Sequence, residues 1–189
     1  MTTTTRLVVL GAPDPEMKTI ERLVLAHGWF VSDAMCRGNR VTSKTAYEAD
    51  MPVCMGEQVW VECRPRTGFT KGVIYVDHHK KGDPGFGLPP EKYWEASSVG
   101  QICKMLNHPS SVRLRMVAAA DHCLGAAYRG ECPGVHPKGL GKWRVASRAK
   151  FQGRTEEDVL RRITEAMMLI RQAPKLSMGN EIVADLRIY

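Results

Sequence analysis

Val73-Ile74-Tyr75-Val76-Asp77-His78-His79 is the stretch whose reading decides the fold. Its first four residues are apolar and mostly β-branched. A continuous apolar run of this kind is what a buried parallel strand looks like. The run stops at Asp-His-His, and Lys80, Lys81 and the turn Gly82-Asp83-Pro84-Gly85 cannot extend it. In open α/β sheets, ligands bind just beyond the carboxyl ends of the strands. One carboxylate and two imidazoles therefore stand where that architecture places its chemistry, as ligands for a cation or as carriers of a proton.

Working outward, residues 6–10 (RLVVL) predict a first strand, and Gly11-Ala12-Pro13-Asp14-Pro15 a tight loop. Residues 16–27 have helical spacing, with Ile20, Leu23, Val24 and His27 on one face and Gly28 as a stop. Residues 29–32 and 59–63 are further candidate strands. Residues 33–55 are polar and leave a lid, a strand pair and a dimer contact open. After a loop rich in Gly and Pro, Ser97 or Ser98 caps a helix to Leu106, and Ser110 or Ser111 caps a longer one over 112–128. Pro137 opens a basic helix to about Lys150. Thr155 with Asp158 makes a capping-box-like start to a helix ending at Gln172. Leu160, Ile163, Met167 and Ile170 give it an apolar stripe, and the Met167-Met168 pair is expected in the core. Residues 182–188 suggest a closing strand. The expected fold is α/β, a mostly parallel, doubly wound sheet flanked by helices. It forms a single domain over 1–189, with a motif-bearing part over 6–130 and a helical, basic part over 131–189.

The composition, 43% hydrophobic and 25% charged over 189 residues, is that of an ordinary soluble globular protein. The formal net charge of +7 favours a phosphorylated or polyanionic ligand. No block of like charges marks a nucleic-acid tail. The six cysteines form no CxxC pair, which argues against a zinc ribbon. Cys123 and Cys132 read as packing residues. No apolar stretch is long enough to span a bilayer, and the N-terminal residues lack the apolar core of a signal peptide. The expectation is a cytoplasmic protein with reduced thiols and no membrane partner. A homo-oligomer is compatible with the sequence.

Acidic groups follow three predicted strands: Asp14 and Glu16 after the first, Glu62 after Val59-Trp60-Val61, Asp77 after Val76. Asp121-His122 forms a further pair, set among small apolar residues. A parallel sheet would gather the strand-end groups on one edge, where they would repel one another unless a cation neutralised them. A mixed oxygen and nitrogen set suits Mn²⁺ or Mg²⁺ better than structural zinc. Two such ions can activate water and stabilise the leaving oxygen of a phosphoester.

On these residues the chain resembles the DHH phosphoesterases. Asp77-His78-His79 looks like the motif that names the family, and Ala96-Ser97-Ser98-Val99-Gly100-Gln101 like its Ser-rich helix start. Leu10-Gly11-Ala12-Pro13-Asp14-Pro15-Glu16 is similar to the first motif, His-x-x-x-Asp-x-Asp. Glu62 and Asp121 fall where the second and fourth motifs carry acidic residues. The resemblance covers roughly residues 6–130. It implies a doubly wound α/β domain with one or two Mn²⁺ or Mg²⁺ ions and hydrolysis of phosphoesters or phosphoanhydrides. Asp14, Glu62, Asp77, His78 and Asp121 would hold metal, with Glu16 and His122 as further ligands. Asp77, His78 and His79 would form the catalytic centre, and His79 and Ser98 would contact substrate.

The departures from the pattern are Leu10 in place of a ligating His, and Glu16 and Glu62 in place of Asp. Leucine cannot ligate, so one metal position is expected to be weak, rebuilt by His122, or lost. The family's second, substrate-binding domain is expected to be missing from a chain of this length. The segment KWRVASRAKFQGR could replace it, with Arg144 and Arg148 on phosphate and Trp143 or Phe151 stacking on a base. Such a segment is more often a solvated helix face. Three functions follow as expectations. The first is a metal-dependent phosphodiesterase acting on a small, perhaps cyclic, nucleotide. The second is a degenerate relative that binds and sequesters a nucleotide messenger. The third, disfavoured by the lack of a long basic groove, is a nuclease or binder of single-stranded nucleic acid.

Overall fold

The computed structural model describes residues 6–51, 57–67 and 72–173, and the backbone of two strands beyond them. Cys54 and the last residues of the expected closing strand, 185–188, lie outside the described residues. The chain divides into two compact units, Met1–Gly141 and Lys142–Tyr189.

In chain order the first unit runs β1 (Leu7–Leu10), α1 (Pro15–Ala26), β2 (Phe30–Asp33), β3 (Met35–Cys36), β4 (Asn39–Arg40), β5 (Gln58–Val61), β6 (Val73–Val76), α2 (Tyr93–Ala96), α3 (Ser98–Met105), α4 (Val112–His122) and α5 (Leu124–Arg129). Four strands make an all-parallel sheet in the order β2-β1-β5-β6. The chain builds outward from β1 to β2, then crosses to the other side of β1 for β5 and β6. The crevice between β1 and β5 is therefore the switch point at which such sheets bind ligands. Leu10 pairs with Val61, and Val61 with Val76. The three strands end flush, so Gly11, Glu62 and Asp77 emerge side by side.

Alternation along the strands makes two faces. Val9 and Trp60 pack with Ala34, Val41, Ala46, Ala49 and Cys63 on one face, joined by Leu7, Val73 and Tyr75. Val8, Leu10, Val59 and Val61 point the other way and are fully buried. That is the helical face, where α1 and α3 meet the sheet and α4 packs on both helices. Helix α1 buries Met17, Ile20 and Val24, is capped by Asp14 and has Pro15 in its first turn.

A doubly wound sheet would carry helices on both faces. Here, among the described residues, the second face is covered by the β3–β4 hairpin and a 3₁₀ turn at Ala46–Glu48. Arg37 (φ 53°) and Gly38 (φ 79°) make the two-residue turn with both central residues left-handed, which suits a tight hairpin. The expected helix over 112–128 is two helices, broken at Cys123 (φ −149°). Ala118 to Ala120 favour helix, but Asp121, His122, Cys123 and Gly125 are weak helix formers, so the interruption costs little there. Tertiary contacts at His122 and Cys123 accompany it.

Helix α6 (Pro137–Gln152) crosses the division between the units. The second unit continues with α7 (Glu156–Gln172), which Thr155 caps through the Asp158 N–H, and an antiparallel pair, β7 (Lys175–Met178) and β8 (Glu181–Ala184). These strands pair with each other as a separate hairpin, so the expected closing strand does not extend the parallel sheet. Met167 and Met168 are 49% and 57% exposed, not core. Leu160, Ile163 and Ile170 are exposed as well. So short a unit offers little surface to cover the stripe. No helix among the described residues is long and apolar enough to cross a membrane.

Ser97 is fully buried, and its hydroxyl accepts from the Gly100 N–H at the start of α3. Ser97→Ala should lower unfolding free energy by about 1 kcal/mol, as loss of a helix cap does. Urea unfolding checks this. Wild-type stability would mean that the cap does not hold α3.

Candidate metal centre

Five side chains converge beyond the flush strand ends. The ligand atoms of Glu62, His78 and His79 all lie within 4.8 Å of one another, as do those of Glu16, Glu62 and Asp121. Glu62 belongs to both groups. These buried acidic and imidazole groupings could hold a metal ion.

Glu62 reaches this position through an uncommon backbone. It follows β5 in the left-handed region (φ 51°), where residues other than Gly are rare. Its N–H donates to the Val76 carbonyl. Gly11 packs so closely that a Cβ there would lie 2.6 Å from the Glu62 carbonyl oxygen. The Gly11 N–H donates to Val61 O, which fixes that approach. The Ser98 hydroxyl donates to Glu62 Oε1 at 2.7 Å.

Glu16 sits in the first turn of α1 and is 2% exposed. Its Oε1 accepts from the Val99 N–H at 2.8 Å, in the first turn of α3. The N-terminal ends of two helices thus face these carboxylates, and the partial positive charge there favours anions. Glu16 Oε2 is buried without a hydrogen-bond partner.

Asp77 orders the turn after β6. Its Oδ1 accepts from the His78 and His79 N–H groups and from His79 Nδ1, and its Oδ2 from the Tyr47 hydroxyl. Burial opposes ionisation, but these hydrogen bonds outweigh it and hold the carboxyl below its usual range. The carboxylate can only accept, so His79 Nδ1 carries a proton, and Nε2 would ligate on giving up its own, as in a carboxylate–histidine–metal relay. The Asp77 carbonyl accepts from Gly85 N–H and from Gln101 Nε2.

His78 stacks on His79 with centroids 4.3 Å apart and meets His122 edge-on at 5.0 Å. Its Nε2 is 3.2 Å from Asp121 Oδ2, and its Nδ1 is 3.8 Å from Glu62 Oε1. These are ion-pair distances without hydrogen-bond geometry, so His78 Nδ1 and Asp121 Oδ2 remain buried without hydrogen-bond partners. His122 Nε2 donates to the Leu88 carbonyl at 3.0 Å. Its buried Nδ1 also lacks a partner.

The electrostatics follow from crowding. Burial, and then the charges of Asp121 and Glu62, push Glu16 well above the usual carboxylate range. Burial and Asp121 push Glu62 up to about 8. His79, hydrogen-bonded to Asp77, is raised to about 9. Burial, with His79 and His122 adjacent, holds His78 below the usual imidazole range despite Asp121. A divalent cation would supply the positive charge that this set lacks, and the orphaned atoms Glu16 Oε2, Asp121 Oδ2 and His78 Nδ1 could serve as its ligands.

Asp77, Ser98 and His122 touch the clustered residues without belonging to either grouping. Asp14 Oδ1 accepts from the Met17 N–H as the cap of α1, and Asp14 is in neither grouping. Asp77 supports His79 from behind. Arg144 and Arg148 lie on the part of α6 that belongs to the second unit. Tyr47 joins the site with no signal in the sequence, because only the fold brings it onto Asp77 from 30 positions away, while Gln101 ends the Ser-rich helix start already singled out. No protein-family profile matches the chain, and neither does any curated protein or solved structure.

Two outcomes test this geometry. Gly11→Ala should weaken Mn²⁺ binding at least about tenfold by calorimetry, since ligands displaced by a few tenths of an ångström lose their geometry. Gly139→Ala, whose added methyl meets only ordinary contacts, should not. The second outcome is a pH dependence. Glu62 has a folded-state value above its unfolded one, so its stability penalty grows as pH rises from about 4.5 to about 8. His79 contributes stability below 6.5 that is lost as pH rises through about 9. Both trends point the same way above neutrality. The melting temperature of the metal-free protein should fall from about pH 6.5 to about pH 8.5, and Mn²⁺ should reverse the fall. A rise over that window would contradict the assignment.

Proposed function

We propose that the protein is a metal-dependent phosphoesterase of the DHH type, acting on a small nucleotide, cyclic or linear. The observation that carries this reading is the pair of overlapping groupings that share Glu62 at the switch point of a parallel sheet. One is nitrogen-rich, with His78 and His79. The other is all oxygen, with Glu16 and Asp121. Such a set would suit Mn²⁺ or Mg²⁺, with Glu62 available to either grouping. When bound, the ions activate water and neutralise charge on the phosphoryl group and leaving oxygen.

The chain's own residues have separate tasks in this reading. Glu16, Glu62 and Asp121 hold the oxygen-rich position. His78 reaches both groups. Asp77 keeps His79 in one tautomer and orientation, and Tyr47 and Gln101 keep Asp77 in place. The His79 side chain is 48% exposed, so it stands at the mouth of the site where a phosphate would arrive. A second reading, sequestration of a nucleotide without cleavage, draws on Leu10. It is 1% exposed, and it fills with core hydrocarbon the position where the family carries a ligating His.

Chromatographic analysis of cyclic and linear nucleotides incubated with the protein separates the two readings. Hydrolysis should require Mn²⁺ or Mg²⁺, stop with chelator, and fall at least about a hundredfold in Glu62→Gln. Intact nucleotide recovered only after denaturation would select sequestration. Neither product nor bound nucleotide would remove both readings.

A further inference from the structure

The break between α4 and α5 holds a second piece of chemistry. Cys123 is the break residue, directly after Asp121-His122. Its Sγ lies 3.2 Å from the Sγ of Cys132, and both are free thiols. The two residues flank α5 and the left-handed turn at Gly130 (φ 82°), a loop closed by local backbone hydrogen bonds. Cys132 is 1% exposed, while Cys123 is only partly buried. A disulfide needs its sulfurs at about 2.05 Å, so closure requires a shift of roughly 1 Å.

We propose that Cys123 and Cys132 are a thiol–disulfide couple built into the helix end that carries Asp121, and that closing it weakens cation binding at Asp121. The second part rests on the metal-centre reading above. The oxidant is a low-molecular-weight disulfide. The Cys123 thiolate attacks one of its sulfurs and releases one thiol. The Cys132 thiolate then attacks the Cys123 sulfur in the mixed disulfide and releases the second. Two protein thiols and one small disulfide give one protein disulfide and two small thiols. The more accessible Cys123 meets the oxidant, and the buried Cys132 resolves it. Burial holds both thiols above their ordinary range, so the exchange is slow. Closure moves the residue two positions after Asp121, and a ligand set tolerates only about 0.5 Å of displacement.

The test incubates the folded, full-length protein with oxidised glutathione and maps its peptides by mass spectrometry before and after dithiothreitol. A 123–132 link that dithiothreitol removes, and that is missing in Cys132→Ser, establishes the couple. Its absence after prolonged incubation, when the denatured chain does react, overturns it. Mn²⁺ titration of the reduced and oxidised forms then reads the coupling. At least about a tenfold weaker affinity in the oxidised form supports it, and equal affinity overturns it. If the reduced protein binds no Mn²⁺, the metal-centre reading fails and the claimed coupling fails with it. The peptide map still decides the couple itself.

Discussion

Three carboxylates and two imidazoles crowded into a largely buried space set the main constraint on this structure. Glu16, Glu62 and Asp121 offer oxygens within 4.8 Å of one another, with Glu16 almost fully buried. Two like charges 4 Å apart repel by roughly 4 kcal/mol even at an effective dielectric of about 20. Burial first, and then the neighbouring carboxylates, push Glu16 and Glu62 above the usual carboxylate range, which favours their neutral forms when no cation is bound. Four other partial compensations come from the fold: the Val99 N–H, the Ser98 hydroxyl and the first turns of α1 and α3. With the carboxylates ionised, atoms on Glu16, His78 and Asp121 have no hydrogen-bond partners. Buried polar groups are normally satisfied, so orphaned atoms on three residues of one cluster are a physical argument for a cation.

The architecture delivers these groups with little freedom. Flush strand ends put Gly11, Glu62 and Asp77 in a row. Gly11 lets β1 approach the Glu62 backbone, and the left-handed conformation of Glu62 redirects the chain after β5. Strain of this kind persists only where surrounding contacts enforce it, and it concentrates at functional sites. Gly85 serves the turn after β6 in the same way: a Cβ there would lie 2.0 Å from the Ala96 carbonyl oxygen and 2.8 Å from the His78 Cβ. Packing sets the backbone from which the ligands project, and Asp77 and Ser98 then orient His79 and Glu62.

The sequence made the sheet's helical face legible because period-2 strands and a capped period-3.6 helix leave strong patterns. Asp77-His78-His79, Glu62 and Glu16 stood out because each follows an apolar run that has to be a strand. Other features are tertiary or leave only a weak local trace. Tyr47 lies in a polar stretch without periodicity and meets Asp77 only through the fold. The β3–β4 turn uses Arg37 where Asn would have announced it. The α4–α5 break falls on the weak helix formers Asp121, His122, Cys123 and Gly125, a local signal that the long apolar pattern masked, and the apolar stripe of α7 suggested a core that its short unit does not supply. Asp14 shows the limit of reading acidic residues at strand ends: the same carboxylate that could ligate a metal also caps a helix, and here it caps α1.

The functional account therefore stands or falls on whether the shared carboxylate binds cations. Anomalous scattering from Mn²⁺-soaked crystals, recorded near the manganese absorption edge, measures this directly. The account predicts two peaks on either side of Glu62, one near His78 and His79 and one near Glu16 and Asp121. No peak within ligand distance of Glu62, with the protein folded and Mn²⁺ in excess, would contradict it.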